Sequence, residues 1–170
     1  KPQGNGIKII AQVVNTSGSL ARGFGKSLQK NFPNVKDAMD KWKKSNLNFR
    51  LGKSQIIQVK PDIYVFQMLA QKGLFAKDGK IPLDYEALEL CLIELREEAL
   101  ALNAEAHMPL IGAGNAKGKW EIIEGLIYSQ LINYGVKVHI YLWGNKKPED
   151  FNPRASLSLF NEKSTWHKEK

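Results

Sequence analysis

The chain has 170 residues, of which 43% are apolar and 25% are charged, and this composition predicts one globular domain with a sizeable core. It contains no apolar run as long as the roughly 20 residues that a membrane span requires, and no signal-peptide pattern. Cys91 is the single cysteine, which excludes an intrachain disulfide, and three scattered histidines do not supply a structural zinc set. We therefore expect an intracellular protein without a metal or a cofactor.

Lysine supplies most of a formal net charge of +8, and the lysines are spread along the chain rather than gathered in one block. Such scatter is typical of solvated helix faces, although a net positive field also concentrates phosphate ligands near a protein. Aromatic residues are not interleaved with the lysines, as they are in surfaces that stack nucleobases. Direct nucleic-acid binding is therefore possible but not indicated, and no feature points to a membrane.

The first half of the chain alternates strand and helix patterns. An apolar run at 7–14 predicts a buried strand, because the residues on both of its faces are apolar. Helical patterns follow at 22–31 and 35–44. Strand-like runs come next at 54–60 and 63–69, joined by a Pro-Asp pair that is typical of a turn.

The second half continues the alternation. Apolar residues at helical spacing predict a long helix at 83–103, and a short apolar run predicts a strand at 106–111. A helix is predicted at 120–134, ended by Gly135 in the position that a C-terminal cap favours. The mostly apolar run at 136–143 predicts the last strand of the domain.

Strands that alternate with helices indicate an α/β fold, with a mostly parallel sheet between layers of helices. We assign this domain to residues 1–143. The composition changes at 144–170, where polar residues with a few aromatics predict a C-terminal extension. That extension either packs on its own domain or becomes ordered on a partner.

The first of two glycine-rich turns follows the first predicted strand and precedes a helix. Backbone N–H groups in such a turn can close around an anion, and the helix dipole adds partial positive charge. The glycine spacing is neither a dinucleotide fingerprint nor a Walker loop. We expect ligand contact from residues of this turn, namely Asn15, Ser17, Gly18, Arg22, Gly23, Phe24 and Gly25.

The second glycine-rich turn follows the strand predicted at 106–111. Its small residues either allow close packing of the strand end on a helix or leave room for a bound group. Two such turns at the carboxyl ends of strands suggest a diphosphate held from both sides. The candidate ligand-binding residues here are Gly112, Ala113, Gly114, Asn115, Ala116, Lys117 and Gly118.

Few residues suggest nucleophilic chemistry. Cys91 lies on the apolar stripe of the long helix, which predicts an inert core thiol. His107 adjoins a buried strand, and Trp120 begins a helix in a core-facing position. Tyr141 and Trp143 end the last predicted strand, where they either pack at the edge of the core or stack on a purine.

These motifs resemble those of a macrodomain, the ADP-ribose-binding module. The resemblance rests on the segment from Ile9 to Asn15 with its glycine turn, and on Met108 to Asn115 with Trp120. It extends over about residues 2–143. The sequence is most similar to one branch of the family. The members of that branch include the terminal ADP-ribose protein glycohydrolase, the DNA-ADP-ribose glycohydrolase antitoxins and a chromatin-remodeller macrodomain. The resemblance implies a three-layer α/β/α fold with a mixed, mostly parallel central sheet.

The resemblance also implies a ligand and its contacts. The turn at 15–25 would surround the distal ribose and the diphosphate, and the turn at 112–118 would hold the diphosphate through backbone N–H groups. Tyr141 and Trp143 would flank the adenine. The expected partner is ADP-ribose, free or as a terminal modification on a protein or a nucleic acid.

Catalysis is the point at which this chain departs from the hydrolytic members of that branch. Those members rely on a lysine just after the strand matching 63–69, and some add an aspartate in the second glycine loop. Here the place of the lysine falls on Leu69 or Ala70, and that of the aspartate on Ala116. Lys72 would substitute only if its loop bends back. We therefore expect a binding module, with an ADP-ribosyl hydrolase that uses Lys72 as the alternative.

A further departure concerns the start of the chain. Members of the family usually carry a strand ending in Gly-Asp ahead of the region matching residues 1–4, and that aspartate recognises the adenine amino group. The sequence begins after the place of that strand. We expect either that the chain is a fragment or that adenine selectivity comes from other residues.

Overall fold

The computed structural model describes Pro2 and residues 4–142, so Trp143 and the extension at 144–170 lie outside the described residues. Its strands and helices follow one another in the predicted order. In chain order they are β1 (Lys8–Asn15), α1 (Gly23–Asn31), α2 (Asn34–Ser45), β2 (Ser54–Lys60), β3 (Ile63–Gln71), α3 (Tyr85–Leu102), β4 (Glu105–Pro109), α4 (Trp120–Gln130), a 3-10 turn (Ile132–Tyr134) and β5 (Val138–Tyr141).

The five strands form one sheet in the order β2-β3-β1-β4-β5. β1 pairs in parallel with both β3 and β4, and β4 pairs in parallel with β5. Among the strands of the described residues, β2 alone runs antiparallel, against β3, as expected for two strands joined by a short turn. The predicted mixed, mostly parallel sheet is confirmed, and the loops after β1, β3 and β4 leave the sheet at the same edge.

Helices cover both faces of this sheet. On one face α1 and α2 bury apolar residues such as Leu28 and Met39 against β1 and β3. On the other face α3 and α4 bury Leu92 and Trp120 against β1, β3, β4 and β5, and Ile56 of β2 packs against the same core. The two cores confirm the predicted three-layer α/β/α fold. Among the described residues, no helix is both long and apolar enough to cross a membrane.

Local chemistry explains where elements begin and end. α3 begins at Tyr85 rather than at residue 83, because the Asp84 carboxylate accepts a hydrogen bond from the Ala87 N–H at 2.9 Å and caps the helix. β4 ends at Pro109, two residues before the predicted end. The chain there turns through Gly112, whose positive φ of +70° breaks the extended conformation.

The helix predicted at 120–134 is in fact shorter. α4 ends at Gln130 and is followed by the 3-10 turn at Ile132–Tyr134, which Gly135 caps as predicted. The strand predicted at 136–143 forms ladder pairs only over Val138–Tyr141. Its predicted end at Trp143 lies outside the described part of the chain.

Candidate functional site

A cleft of about 660 Å³ opens at the carboxyl ends of the parallel strands. It is lined by the segment after β1, the end of β3, the loop after β4 and the end of β5. Ligands in open α/β sheets bind at this position, because the loops after parallel strands meet there. Both glycine-rich turns of the sequence contribute to its wall.

Within the first turn, Asn15 shapes the backbone. Its side-chain carbonyl accepts the Ser17 N–H at 3.1 Å, and its amide donates to the Ser19 carbonyl at 3.0 Å. The Gly18 N–H donates to the Asn15 carbonyl at 2.9 Å, and Gly18 has a φ of +73°. Asn15 lines the cleft, but Ser17 and Gly18 do not. Their predicted ligand contact therefore gains no support, since the turn they form faces Lys43 of α2.

The second half of this segment enters the cleft directly. Arg22, Gly23, Phe24 and Gly25 line it at the start of α1. The first N–H groups of an α-helix have no acceptor within the helix, and the helix dipole places partial positive charge there. A Cβ at Gly25 would lie 3.4 Å from the Leu20 carbonyl oxygen, so this helix start lies close to the loop.

The second turn lies opposite. Its residues from Gly112 to Ala116 line the cleft, whereas Lys117 and Gly118 do not. Gly118 has a packing role: its N–H donates to the Gly112 carbonyl at 2.8 Å, and an added Cβ would lie 2.3 Å from the Leu83 side chain. The predicted contact of Lys117 and Gly118 with a ligand is not supported by this placement.

The two turns approach each other across the cleft. A Cβ placed on Gly23 would lie 3.4 Å from the side-chain nitrogen of Asn115. Gly114 faces open space, with nothing within 4 Å of the position of a Cβ. An elongated anion bound here would be in reach of backbone N–H groups from both sides.

Arg22 is the only residue with a formal charge among the described residues that line the cleft. Its guanidinium lies 4.7 Å from the centre of the Phe75 ring, which is 63% exposed at the rim. The lining contains no carboxylate, histidine or lysine within the described part of the chain. It thus offers charge for an anion but no ordinary general base.

Lys72 lies outside this lining. Its side chain is 68% exposed, and its ammonium group is 3.6 Å from the carboxylate of Asp84, which caps α3. Ala116 does line the cleft, and its carbonyl accepts the Leu83 N–H at 3.1 Å. Ala116, the residue at the place where the resemblance implies an aspartate in some family members, therefore carries a buried methyl group.

Tyr141 is buried at the edge of the core and also lines the cleft, so its stacking on a purine stays a prediction. Its hydroxyl lies 2.8 Å from Nδ1 of His107. His107 in turn stacks on His139, its ladder partner in β5, with ring centres 4.3 Å apart. Burial lowers the pKa of His107 to about 3, so this imidazole is neutral.

Glu105 completes that cluster below the cleft. Its Oε2 lies 2.6 Å from Nε2 of His139, and its Oε1 lies 3.1 Å from the Lys137 ammonium. Burial raises the pKa of this carboxyl, but the hydrogen bonds from His139 and Lys137 outweigh that effect and lower it. None of the three residues Glu105, His107 and His139 lines the cleft.

Several cleft residues were not predicted from the sequence. Gln12 and Gln71 are buried residues of the inner strands β1 and β3 that line the site, and Leu74 follows in the loop. Gln12 accepts a hydrogen bond from Gln67 at 3.2 Å. A polar residue inside an otherwise apolar strand was the available signal for Gln12. Nothing in the sequence marked Leu74.

Comparisons with known proteins agree with this fold. No family model matches the chain. A solved structure of a Bacteroides thetaiotaomicron protein of unknown function is 36% identical, covers 84% of this chain and 91% of that one, and has a TM-score of 0.82. A macrodomain protein from Streptomyces coelicolor is 32% identical over 85% of this chain and 93% of that one, with a TM-score of 0.74. The chain therefore belongs to the macrodomain family.

More distant structures share the fold. The macrodomain of Mycobacterium tuberculosis DarG is 21% identical, covers 81% of this chain and 90% of that one, and has a TM-score of 0.68. Thermosipho africanus DarTG, solved in complex with ADP-ribose, is 17% identical. The match covers 90% of this chain and 41% of that one, with a TM-score of 0.67. A 46-residue segment is 46% identical to an uncharacterized 17.5 kDa protein of Enterobacteria phage T4, and the match spans 30% of that protein.

Proposed function

We propose that this chain binds ADP-ribose, free or as a terminal modification on a protein or a nucleic acid. The observation that carries the proposal is the pair of glycine turns facing each other across a cleft of about 660 Å³. A volume of this order suits a small-molecule ligand. Support also comes from the relative solved with ADP-ribose, whose fold this chain shares.

In this proposal the diphosphate lies between the start of α1 and the loop after β4. The segments Gly23 to Gly25 and Gly112 to Ala116 line this space from its two sides, and Arg22 adds a positive charge at the rim. The adenine lies toward Tyr141 at the end of β5, where its ring forms part of the wall. Trp143, predicted as the second aromatic, remains a proposed contact outside the described residues.

The lining favours binding over hydrolysis. An ADP-ribosyl hydrolase would require a group that positions or activates water. The described lining of the cleft offers only neutral groups and Arg22. Lys72 would need to leave Asp84 and turn into the cleft. Preorganised N–H donors alone could still strain the distal ribose, which keeps the hydrolase as the rival function.

Calorimetric titration with ADP-ribose, AMP and NAD tests the binding proposal. We expect saturable binding of ADP-ribose with a clear preference over AMP, because AMP lacks the second phosphate and the distal ribose. Binding of AMP as tight as that of ADP-ribose, by folded protein, would contradict the placement of the diphosphate.

A turnover assay on ADP-ribosylated protein and DNA tests the rival. We expect no release of ADP-ribose by the parent chain, and unchanged ADP-ribose affinity in Lys72→Ala. Turnover that Lys72→Ala abolishes while binding persists would establish the hydrolase instead.

A further inference from the structure

Two parallel strands bring distant residues of the sequence together below the cleft. His107 and His139 are ladder partners in β4 and β5, so their side chains project from the same face of the sheet. Glu105 lies two residues before His107 and projects from that face as well. One donor atom from each of these three residues lies within 4.8 Å of the donor atoms of the other two.

The Nε2 atom of His107 points into this cluster without a hydrogen-bond partner among the described residues. The side chain is 98% buried, since only 2% of it is exposed. An imidazole nitrogen hidden from water and left unpaired costs free energy, and each such group calls for an explanation. A metal ion that accepts the lone pair of Nε2 would explain why this atom has no hydrogen-bond partner.

The surrounding hydrogen bonds are those of a metal-ligating set. Nδ1 of His107 is held by the Tyr141 hydroxyl at 2.8 Å, which leaves Nε2 for a metal when the ring proton is on Nδ1. Lys137 holds Oε1 of Glu105 at 3.1 Å and leaves Oε2 facing the histidines. Oε2 is 2.6 Å from Nε2 of His139 and 4.0 Å from Nε2 of His107.

These separations bracket the spacing that a metal requires. Metal–nitrogen and metal–oxygen bonds of about 2.0–2.2 Å at tetrahedral angles place the ligand atoms about 3.3 Å apart. The three donor atoms lie within 4.8 Å of one another, and binding requires the stacked rings of His107 and His139, inclined by 7°, to turn so that both lone pairs meet at the ion. Lys8, the nearest lysine on β1, turns its ammonium to the Gly6 carbonyl at 2.7 Å and to Asp62 at 3.5 Å, so its charge is already compensated.

We propose that Glu105, His107 and His139 form a site for a first-row transition-metal ion, of which Zn²⁺ is the ion that two imidazoles and one carboxylate suit best. Binding replaces the proton between His139 and Glu105, which is released to solvent, and water completes the coordination. The site is structural, because it ties β4 to β5 and its ligands lie outside the cleft. It does not depend on ADP-ribose binding.

Titration of the chelator-treated parent chain with Zn²⁺, and with Co²⁺ followed by its visible absorption, tests the site. We expect one equivalent per chain and a rise in the thermal midpoint with Zn²⁺. Glu105→Gln and His139→Gln should each lower the Zn²⁺ affinity at least about tenfold. His167→Gln is the matched control, because it removes the third histidine of the sequence, and its affinity should equal that of the parent.

Histidine side-chain NMR of the unmutated protein keeps the test independent of how the variants fold. Zn²⁺ should shift the imidazole signals of two histidines and leave the third unchanged. The proposal is overturned if the parent takes up less than one equivalent, if folded Glu105→Gln binds Zn²⁺ as tightly as the parent, or if His167→Gln loses the binding.

Discussion

At the scale of single residues, glycines around the cleft differ in what they contribute. Gly118 is required by packing, because a Cβ there would lie 2.3 Å from Leu83 and 2.8 Å from the Gly112 carbonyl. Gly114 has open space around it and faces the cleft. A sequence shows both simply as glycines of one turn, so their separate roles become visible only from the neighbours that tertiary structure brings to them.

Gly118→Ala should therefore destabilise the fold. The added methyl group meets the backbone of Gly112, which cannot move without disturbing the loop after β4, and overpacking of this kind costs about 1–3 kcal/mol. Urea unfolding measures the change. Gly125→Ala in α4 is the control, since a Cβ there meets nothing within 4 Å and alanine favours a helix. Equal stability of the two variants would contradict the packing role.

Cys91 illustrates a sequence prediction that burial supports. It is fully buried in the layer between α3 and the sheet, and burial raises the pKa of its thiol to about 12. Since only the thiolate reacts with disulfide reagents, we expect no reaction of the native protein at pH 8 and complete reaction in denaturant. Rapid labelling of the native protein would show that this layer opens readily.

Arg22 is the residue whose charge we expect to matter for the ligand. Arg22→Gln should weaken ADP-ribose binding about three- to fivefold at low salt, a modest loss because the side chain is exposed. The difference should shrink as salt rises. Lys26→Gln removes an equal charge one turn later and outside the cleft, and calorimetry should find its affinity unchanged. Equal losses in both variants would indicate a general effect of net charge.

At the scale of elements, strands and helices followed from periodicity, but their ends did not. The apolar runs predicted β1 and β3 correctly, because inner strands are buried on both faces and therefore consist mostly of apolar residues. The end of β4 depended instead on the turn through Gly112, and the end of α4 on a 3-10 turn. Such ends are determined by local hydrogen bonds that single-residue preferences do not encode.

The site itself was predictable only in part, for a related reason. Cleft residues within a glycine turn, such as Gly23 and Gly112, were predicted because the turn is recognisable in the sequence. Gln71 was not found, because it reaches the cleft through the pairing of β3 with β1. The contact between His107 and Tyr141 likewise depends on β4 and β5, which are separated along the chain by α4.

At the scale of the whole molecule, the topology of the sheet determines where the cleft lies. Four parallel strands end at one edge, and the two glycine turns leave from two of them, β1 and β4, which are adjacent in the sheet. Their adjacency brings the start of α1 and the loop after β4 to opposite walls of one cleft. A fold with another strand order would place the same two motifs apart.

Calorimetric titration of ADP-ribose into the parent, Gly114→Leu and Gly125→Leu tests this account most directly. Both glycines have open space around them and no positive φ, but only Gly114 faces the cleft. We predict saturable binding by the parent, a loss of at least about tenfold, or about 1.4 kcal/mol, in Gly114→Leu, and parental affinity in Gly125→Leu. Parental affinity in folded Gly114→Leu, or no binding by the folded parent, would contradict a site between the two turns.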